Sequence, residues 1–167
     1  VAELMRLLVD EHGMVWEDAW RVTQGTVAYT NHTLLPEALE TWPVGLMERL
    51  LPRHMQIIFA INARFLEEAR RDAGQDVDLA AVSLIDENHG RRVRMAHLAF
   101  IGSHRINGVS ALHTGLMRST VFADLDRVAP GRMTNKTNGI TFRRWLHNAN
   151  PGLTRLAVEA VGAKVLD

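Results

Sequence analysis

The run over residues 52–69 constrains this chain more than any other. Met55, Ile58, Ile61, Phe65 and Ala69 recur at spacings of three and four, while Arg64, Glu67, Glu68, Arg70 and Arg71 cover the other, solvated side. That pattern predicts a long amphipathic helix with one buried stripe, following from Pro52. Such a stripe has to be covered by neighbouring elements, and the sequence supplies several. Leu4, Leu7 and Leu8 mark a helix that Gly13 ends, and Trp16, Trp20, Thr23 and Val27 share a face of a second. Glu17 and Asp18 sit well in the first turn of that second helix, where the backbone dipole favours negative charge. Asn107-Gly108 is a turn signal. The helical spacing of Val109, Leu112, His113, Leu116 and Met117 nevertheless predicts a helix there in preference to a hairpin. Asn150-Pro151 supplies an N-cap and a first-turn proline for a last helix over Leu153, Leu156, Ala157, Ala160 and Val161, which Gly162 stops.

Between these helices the pattern is weaker. Residues 29–35 break the periodicity with small polar side chains, and Pro36 and Pro43 each suit the first turn of a short helix. Residues 72–78 read as a loop. Residues 82–85 read as a short strand before a polar turn, 91–104 as a helix or mixed segment, and 124–141 as irregular with turns at Pro130-Gly131 and Asn138-Gly139. There is no repeat, low-complexity run or heptad seam. The expectation is a mostly helical chain with little strand.

Composition narrows the function. With 167 residues, 47% hydrophobic and 23% charged, the chain has the make-up of a globular domain. Lys and Arg together number 19, against 19 Asp and Glu, so the basic excess of a nucleic-acid binder is missing. The chain holds no cysteine, which excludes a disulfide framework, an iron–sulfur site and a thiol nucleophile, and makes the cytosol the default compartment. No signal peptide opens the sequence. It begins with Val1 inside a helical pattern and without an initiator Met, which reads as a piece of a longer protein. Lys136 and Lys164 are the only lysines, so a Schiff base has just two candidate anchors.

Several constellations carry little. His97, His104 and His113 are seven and nine apart, with no HExxH and no His/carboxylate pair at metal-ligand spacing, so no metal site is expected. Asp86 and Glu87 are adjacent and do not form a hydrolase pair. Arg91, Arg92 and Arg94, near His89, form a basic cluster that reads either as a solvated patch or as an anion contact. Phosphate-loop, dinucleotide and serine-hydrolase motifs are missing. Two polar stretches remain: Tyr29-Thr30-Asn31-His32-Thr33 and Thr134-Asn135-Lys136-Thr137-Asn138-Gly139. They read either as loop caps or as a surface for a polyhydroxylated ligand, since Asn and neutral His both donate and accept. Composition does not choose between the two.

The same stretches carry a resemblance. Tyr29-Thr30-Asn31-His32-Thr33-Leu34-Leu35-Pro36-Glu37-Ala38-Leu39-Glu40 resembles a signature of the α-glucan phosphorylases. So do Leu51-Pro52-Arg53-His54, Met95-Ala96-His97-Leu98, Gly102-Ser103-His104 with Asn107-Gly108-Val109, Thr137-Asn138-Gly139-Ile140-Thr141, Arg143-Arg144-Trp145-Leu146 and Asn150-Pro151-Gly152-Leu153, all in the same order. The resemblance implies an internal segment of an α/β parent with two Rossmann-like lobes of the glycosyltransferase-B kind. Residues 1–135 would end the N-terminal lobe, and 136–167 would cross into the C-terminal lobe.

By the same resemblance the parent phosphorolyses α-1,4-glucans from the non-reducing end to glucose 1-phosphate. It would be a cytoplasmic homodimer that uses pyridoxal phosphate on a lysine outside this chain. Neither Lys136 nor Lys164 stands in the matching context. His32 and Asn138 would bind the 6-hydroxyl of the glucosyl unit, with Thr33 beside His32 and Val109 against the sugar, and Trp145 would pack near the cofactor. No acid, base or nucleophile falls within the chain, which alone would be inactive; the alternative is a non-catalytic carbohydrate-binding module. Two positions depart from the family pattern. Phe142 stands where Pro is usual, which predicts an altered bend before Arg143. Phe59 stands where Tyr is common on a surface glucan site with Asn62 and Glu87, and so lacks its hydroxyl.

Overall fold

A computed structural model describes residues 1–73, 77–88 and 90–166, without the side chain of Ala73, and the chain divides into two units, Val1–Lys136 and Thr137–Asp167. His89, placed near the arginine cluster, and residues 74–76 of the expected loop lie outside the described residues.

In the first unit the long helix is present as α4, Pro52–Ala73, following α1 (Ala2–Arg6), α2 (Trp16–Thr26) and α3 (Val44–Leu50). Met55, Ile58, Ile61, Phe65 and Ala69 are all buried, as their spacing requires, and Ile57 joins them. Helix α1 widens into a π-helical stretch at Leu7–Glu11, and Gly13 beyond it takes φ +65°, a conformation that glycine adopts without strain. Ala2 and Met5 are its buried residues, while Leu4 and Leu7 are only half-buried. Arg53 at the start of α4 donates to both carboxylate oxygens of Asp10, at 2.8 and 2.7 Å, tying that stretch to the long helix.

The chain is mostly helical, yet it holds more sheet than its periodicity announces. Strands β1 (Tyr29–Thr30), β5 (Ile106–Gly108) and β6 (Met133–Asn135) form an all-parallel sheet in the order β1-β5-β6. Strands β2 (Thr41–Pro43), β4 (Arg92–Arg94) and β3 (Ile85–Asp86) form an antiparallel one in the order β2-β4-β3. Several expectations give way here. Pro43 closes β2 and caps α3 instead of opening it. Of residues 82–85 only Ile85 is strand, because Leu79–Val82 coils into α5 on the Asp78 cap. Asn107-Gly108 is strand, and the helix α7 starts at Ala111 and ends at Ser119. Residues 124–141 are not irregular, since they hold most of α8 (Ala123–Val128) and all of β6.

Between β4 and β5 lies α6, Met95–Gly102. Ala96, Leu98, Phe100, Ile101 and Gly102 are all buried, and a helix without a polar face belongs in the core. Phe100 meets Phe122 at 5.4 Å between ring centroids, and Tyr29 of β1 stands edge-on to Phe122 at 6.2 Å. The parallel sheet is thus anchored by its own aromatic contacts.

The second unit has a π-helical stretch, Arg143–Asn148, and the helix α9, Pro151–Val161. Asn150 Oδ1 accepts the Leu153 N–H at 3.0 Å, Pro151 occupies the first turn and Gly162 ends the helix at φ +87°, as the sequence predicts. Phe142 stands immediately before the π-helical stretch. Its φ of −56° lies in the range a proline ring imposes.

Candidate functional site

Parallel strands present their carboxyl ends on one edge, where α/β folds gather binding groups. The register sets Tyr29 against Ile106, and Asn107 against both Thr30 and Thr134. Asn31 N–H donates to the Asn107 carbonyl at 3.0 Å and Lys136 N–H to the Gly108 carbonyl at 3.1 Å. The edge therefore brings together residues 31–33, 107–109 and 134–136, three stretches far apart in sequence. Asn138 and Trp145 belong to the second unit and are described separately.

On this edge most polar groups are committed to one another or to the backbone. Thr30 Oγ1 donates to Asn107 Oδ1 at 2.8 Å, and Asn31, itself buried, donates from Nδ2 to the Tyr29 hydroxyl at 3.0 Å. Asn31 Oδ1 accepts the Thr33 N–H and Thr33 Oγ1 accepts the Leu35 N–H, both at 3.1 Å, which turns the chain out of β1. The loop-cap reading therefore holds for Asn31 and for one lone pair of Thr33. It does not hold for His32. Its side chain is exposed and makes no hydrogen bond to any described residue. An uncommitted imidazole on an edge of committed neighbours is a group left for something else.

His32 and Thr33 open onto a cleft of about 400 Å³, bounded also by Thr30, Leu39, Glu40 and Met95. The Glu40 carboxylate there accepts from the Trp42 indole N–H. The walls thus offer an acceptor, a hydroxyl and an imidazole over an apolar floor. That set matches a ligand rich in hydroxyls, each of which both donates and accepts. Val109 follows β5 on the same edge and is half-buried.

The amines fit a Schiff base poorly. Lys136 lies at the end of β6 and is exposed, so nothing there desolvates an amine as a covalent anchor requires, and Lys164 is exposed in the 3₁₀ turn Ala163–Leu166. In the second unit Asn138 is exposed and its side chain bonds to no described residue. Trp145 is 59% exposed, with the Arg144 guanidinium over its ring at 4.8 Å, a broad flat wall on the surface of its own unit.

The arginines of the cluster all have partners, Arg91 as an exposed surface pair and Arg92 and Arg94 half-buried. Arg91 bonds Glu87 and stacks on Phe59 at 5.4 Å, Arg92 donates to the Thr41 hydroxyl and carbonyl, and Arg94 reaches the Ala80 and Ser83 carbonyls and Asp86. Asn62 Oδ1 accepts the Leu84 N–H at 2.7 Å. His97 is largely buried. That burial, with the Arg94 charge nearby, holds its imidazole down to about 4, so it is neutral and donates to the Ala81 carbonyl at 3.2 Å. No group of three or more His, Asp or Glu suited to a metal occurs among the described residues. No described helix is long and apolar enough to cross a membrane.

The family profile "Phosphorylase: Carbohydrate phosphorylase" matches residues 1–167. The liver form of glycogen phosphorylase from Bos taurus is 51% identical over 163 residues, 97% of this chain and 19% of that protein. The muscle form from Bos taurus is 50% identical over 167 residues, 99% of this chain and 20% of that protein. The muscle form from Homo sapiens is 52% identical over 163 residues, covering 97% and 19%. The chain spans about a fifth of the length of these relatives.

Proposed function

Since the chain belongs to the carbohydrate phosphorylase family, we propose that it is a segment of an α-glucan phosphorylase and lines that enzyme's glucosyl site. The parent removes the terminal glucosyl unit of an α-1,4-glucan with inorganic phosphate, giving glucose 1-phosphate. It is a cytoplasmic homodimer built from two Rossmann-like lobes. Residues 1–135 end the first lobe, and 136–167 lead into the second. Pyridoxal phosphate, held by a lysine outside this chain, would supply a phosphate group as proton partner to the substrate phosphate. Trp145 offers it an apolar wall.

Within this chain the work is binding and orientation. His32, Thr33 and Val109 hold the sugar, and His32 and Asn138 bind its 6-hydroxyl. The uncommitted imidazole of His32, beside the hydrogen-bonded side chains of Thr30, Asn31 and Asn107, is the observation that carries the reading. A group oriented in a dry cleft acts strongly where charge develops on the sugar, without itself transferring a proton.

The test is kcat/KM of the full-length parent on maltoheptaose and on an analogue whose terminal sugar lacks the 6-hydroxyl. His32→Ala and Asn138→Ala should each cost about 1–3 kcal/mol of transition-state stabilisation on maltoheptaose. Both variants should discriminate less against the deoxy analogue than wild type does. Unchanged discrimination in both variants would overturn the assignment. A parent that binds glucan but never turns it over would instead be a carbohydrate-binding protein.

A further inference from the structure

We propose that His113 is a positioning residue for the glucosyl site, its imidazole fixing the backbone of Val109; the inference rests on reading the β1-β5-β6 edge as that site. Helix α7 opens with Ser110 as its N-cap, whose hydroxyl accepts the His113 N–H at 3.1 Å. His113 is the third helical residue, the place from which a glutamate or glutamine commonly reaches back to the cap. Here the imidazole reaches one residue further. Its Nδ1 accepts the Val109 N–H at 3.2 Å.

That bond dictates the tautomer. Nδ1 must be bare, so the ring proton sits on Nε2. Nε2 is buried and has no partner among the described residues. A cap serving stability alone would not leave a buried donor unmatched, because an unmatched donor is itself destabilising. What the imidazole provides in return is a rigid planar strut across the turn between β5 and α7. The turn is also fixed from below: the Gly108 carbonyl accepts the Lys136 N–H at 3.1 Å, and a Cβ on Gly108 would come within 2.9 Å of the Thr114 Cα. Val109 is therefore held by its own amide above and by an immovable Gly108 before it. The residue facing the sugar owes its place to a histidine that does not touch the sugar.

The experiment uses the full-length parent with maltoheptaose and phosphate, and reads kcat, KM and thermal midpoint. His113→Asn keeps an acceptor where Nδ1 stands, whereas His113→Leu keeps bulk and removes the acceptor. H113L should raise KM for maltoheptaose at least tenfold, and H113N should stay within threefold of wild type. Ser110→Ala removes the other half of the cap, and should lower the thermal midpoint while leaving KM in place. Should H113L fail to fold, His113→Ser, too short to reach Val109, takes its place against H113N. Equal KM in H113L and H113N, or an equal rise in S110A, would overturn the positioning role while leaving the proposed function intact. An inactive wild-type parent would overturn both.

Discussion

Two glycines seven residues apart, one at the end of β5 and one in α7, should respond oppositely to the same methyl group. At Gly108 a Cβ would land 2.4 Å from Thr114 Oγ1, 2.9 Å from Met117 Sδ and 2.9 Å from the Thr114 Cα. The Thr114 hydroxyl cannot step aside freely, since it lies 2.8 Å from the Ser110 carbonyl and 3.1 Å from Asn135 Oδ1. Nonbonded carbons need about 3.5–4.0 Å, so β5 and α7 must part by roughly an ångström. Overpacking of that kind costs about 1–3 kcal/mol. Gly115 sits in the exposed middle of α7 with nothing within 4 Å of a Cβ, and there Gly→Ala should add about 0.5–1 kcal/mol through helix propensity and a less flexible unfolded chain. The assay is the urea midpoint of the full-length parent for wild type, Gly108→Ala and Gly115→Ala, with kcat/KM on maltoheptaose. G108A should lose both stability and kcat/KM, and G115A should gain stability with activity unchanged. A G108A enzyme within about 0.5 kcal/mol of wild type, the range of a neutral surface change, would refute the claim that β5 is wedged against α7.

Three further outcomes are expected. His97 ionises near 6.5 in the unfolded chain and only at about 4 when folded, so the unfolded state takes up the proton first. Stability should therefore fall as pH drops from 6.5 towards 4, by about 3 kcal/mol in all; His97→Gln should flatten that slope in acid unfolding, and an unchanged slope would sink the assignment. Asn150→Ala removes the α9 cap and should cost about 1 kcal/mol, read as roughly fivefold faster hydrogen exchange at the Leu153 amide. Residues 1–167 alone should release no glucose 1-phosphate from maltodextrin and should bind an apolar dye through the exposed Leu156 and Val161 of α9; turnover by the purified segment would contradict the proposed division of labour.

How far the sequence could be read depended on whether a segment's structure was set locally. Helix α4 was legible because one stripe repeats across twenty-two residues. The α9 boundaries were legible because Asn150, Pro151 and Gly162 each act on their own backbone. The parallel sheet was not, since its strands are two or three residues long and exist only through partners remote in sequence. Asn107-Gly108 looks like a turn because glycine usually marks one, whereas Gly108 is needed for close approach to Thr114. Helix α7 was expected at the right place, and Met117 of its expected face is buried, but Leu112 and Leu116 of that face are 74% and 39% exposed while Thr114 is buried in their stead. At the site, the polar stretches stood out by composition. Which of their residues cap and which are free depended on hydrogen bonds no spacing rule contains. His113 stood out only as a position on the α7 face and as one of three histidines without metal spacing; its link to Val109 depends on the β5 turn.

The parallel pairing also sets an order of events. Thr30 and its partner Asn107 are 77 residues apart, and β6 comes later still. At translation rates of about 5–20 residues per second, β1 leaves the ribosome roughly 4–15 s before the strand that pairs with it. Throughout that interval Tyr29 and Thr30 have no sheet to join, and the amide of Asn31 has no carbonyl to meet. The antiparallel sheet closes earlier, since its last strand ends at Arg94. The edge that carries His32 is thus among the last features of the first unit to form, and contacts so distant in sequence form slowly. A ribosome that pauses before Ile106 would hold the chain with its helices made and its sugar edge unbuilt.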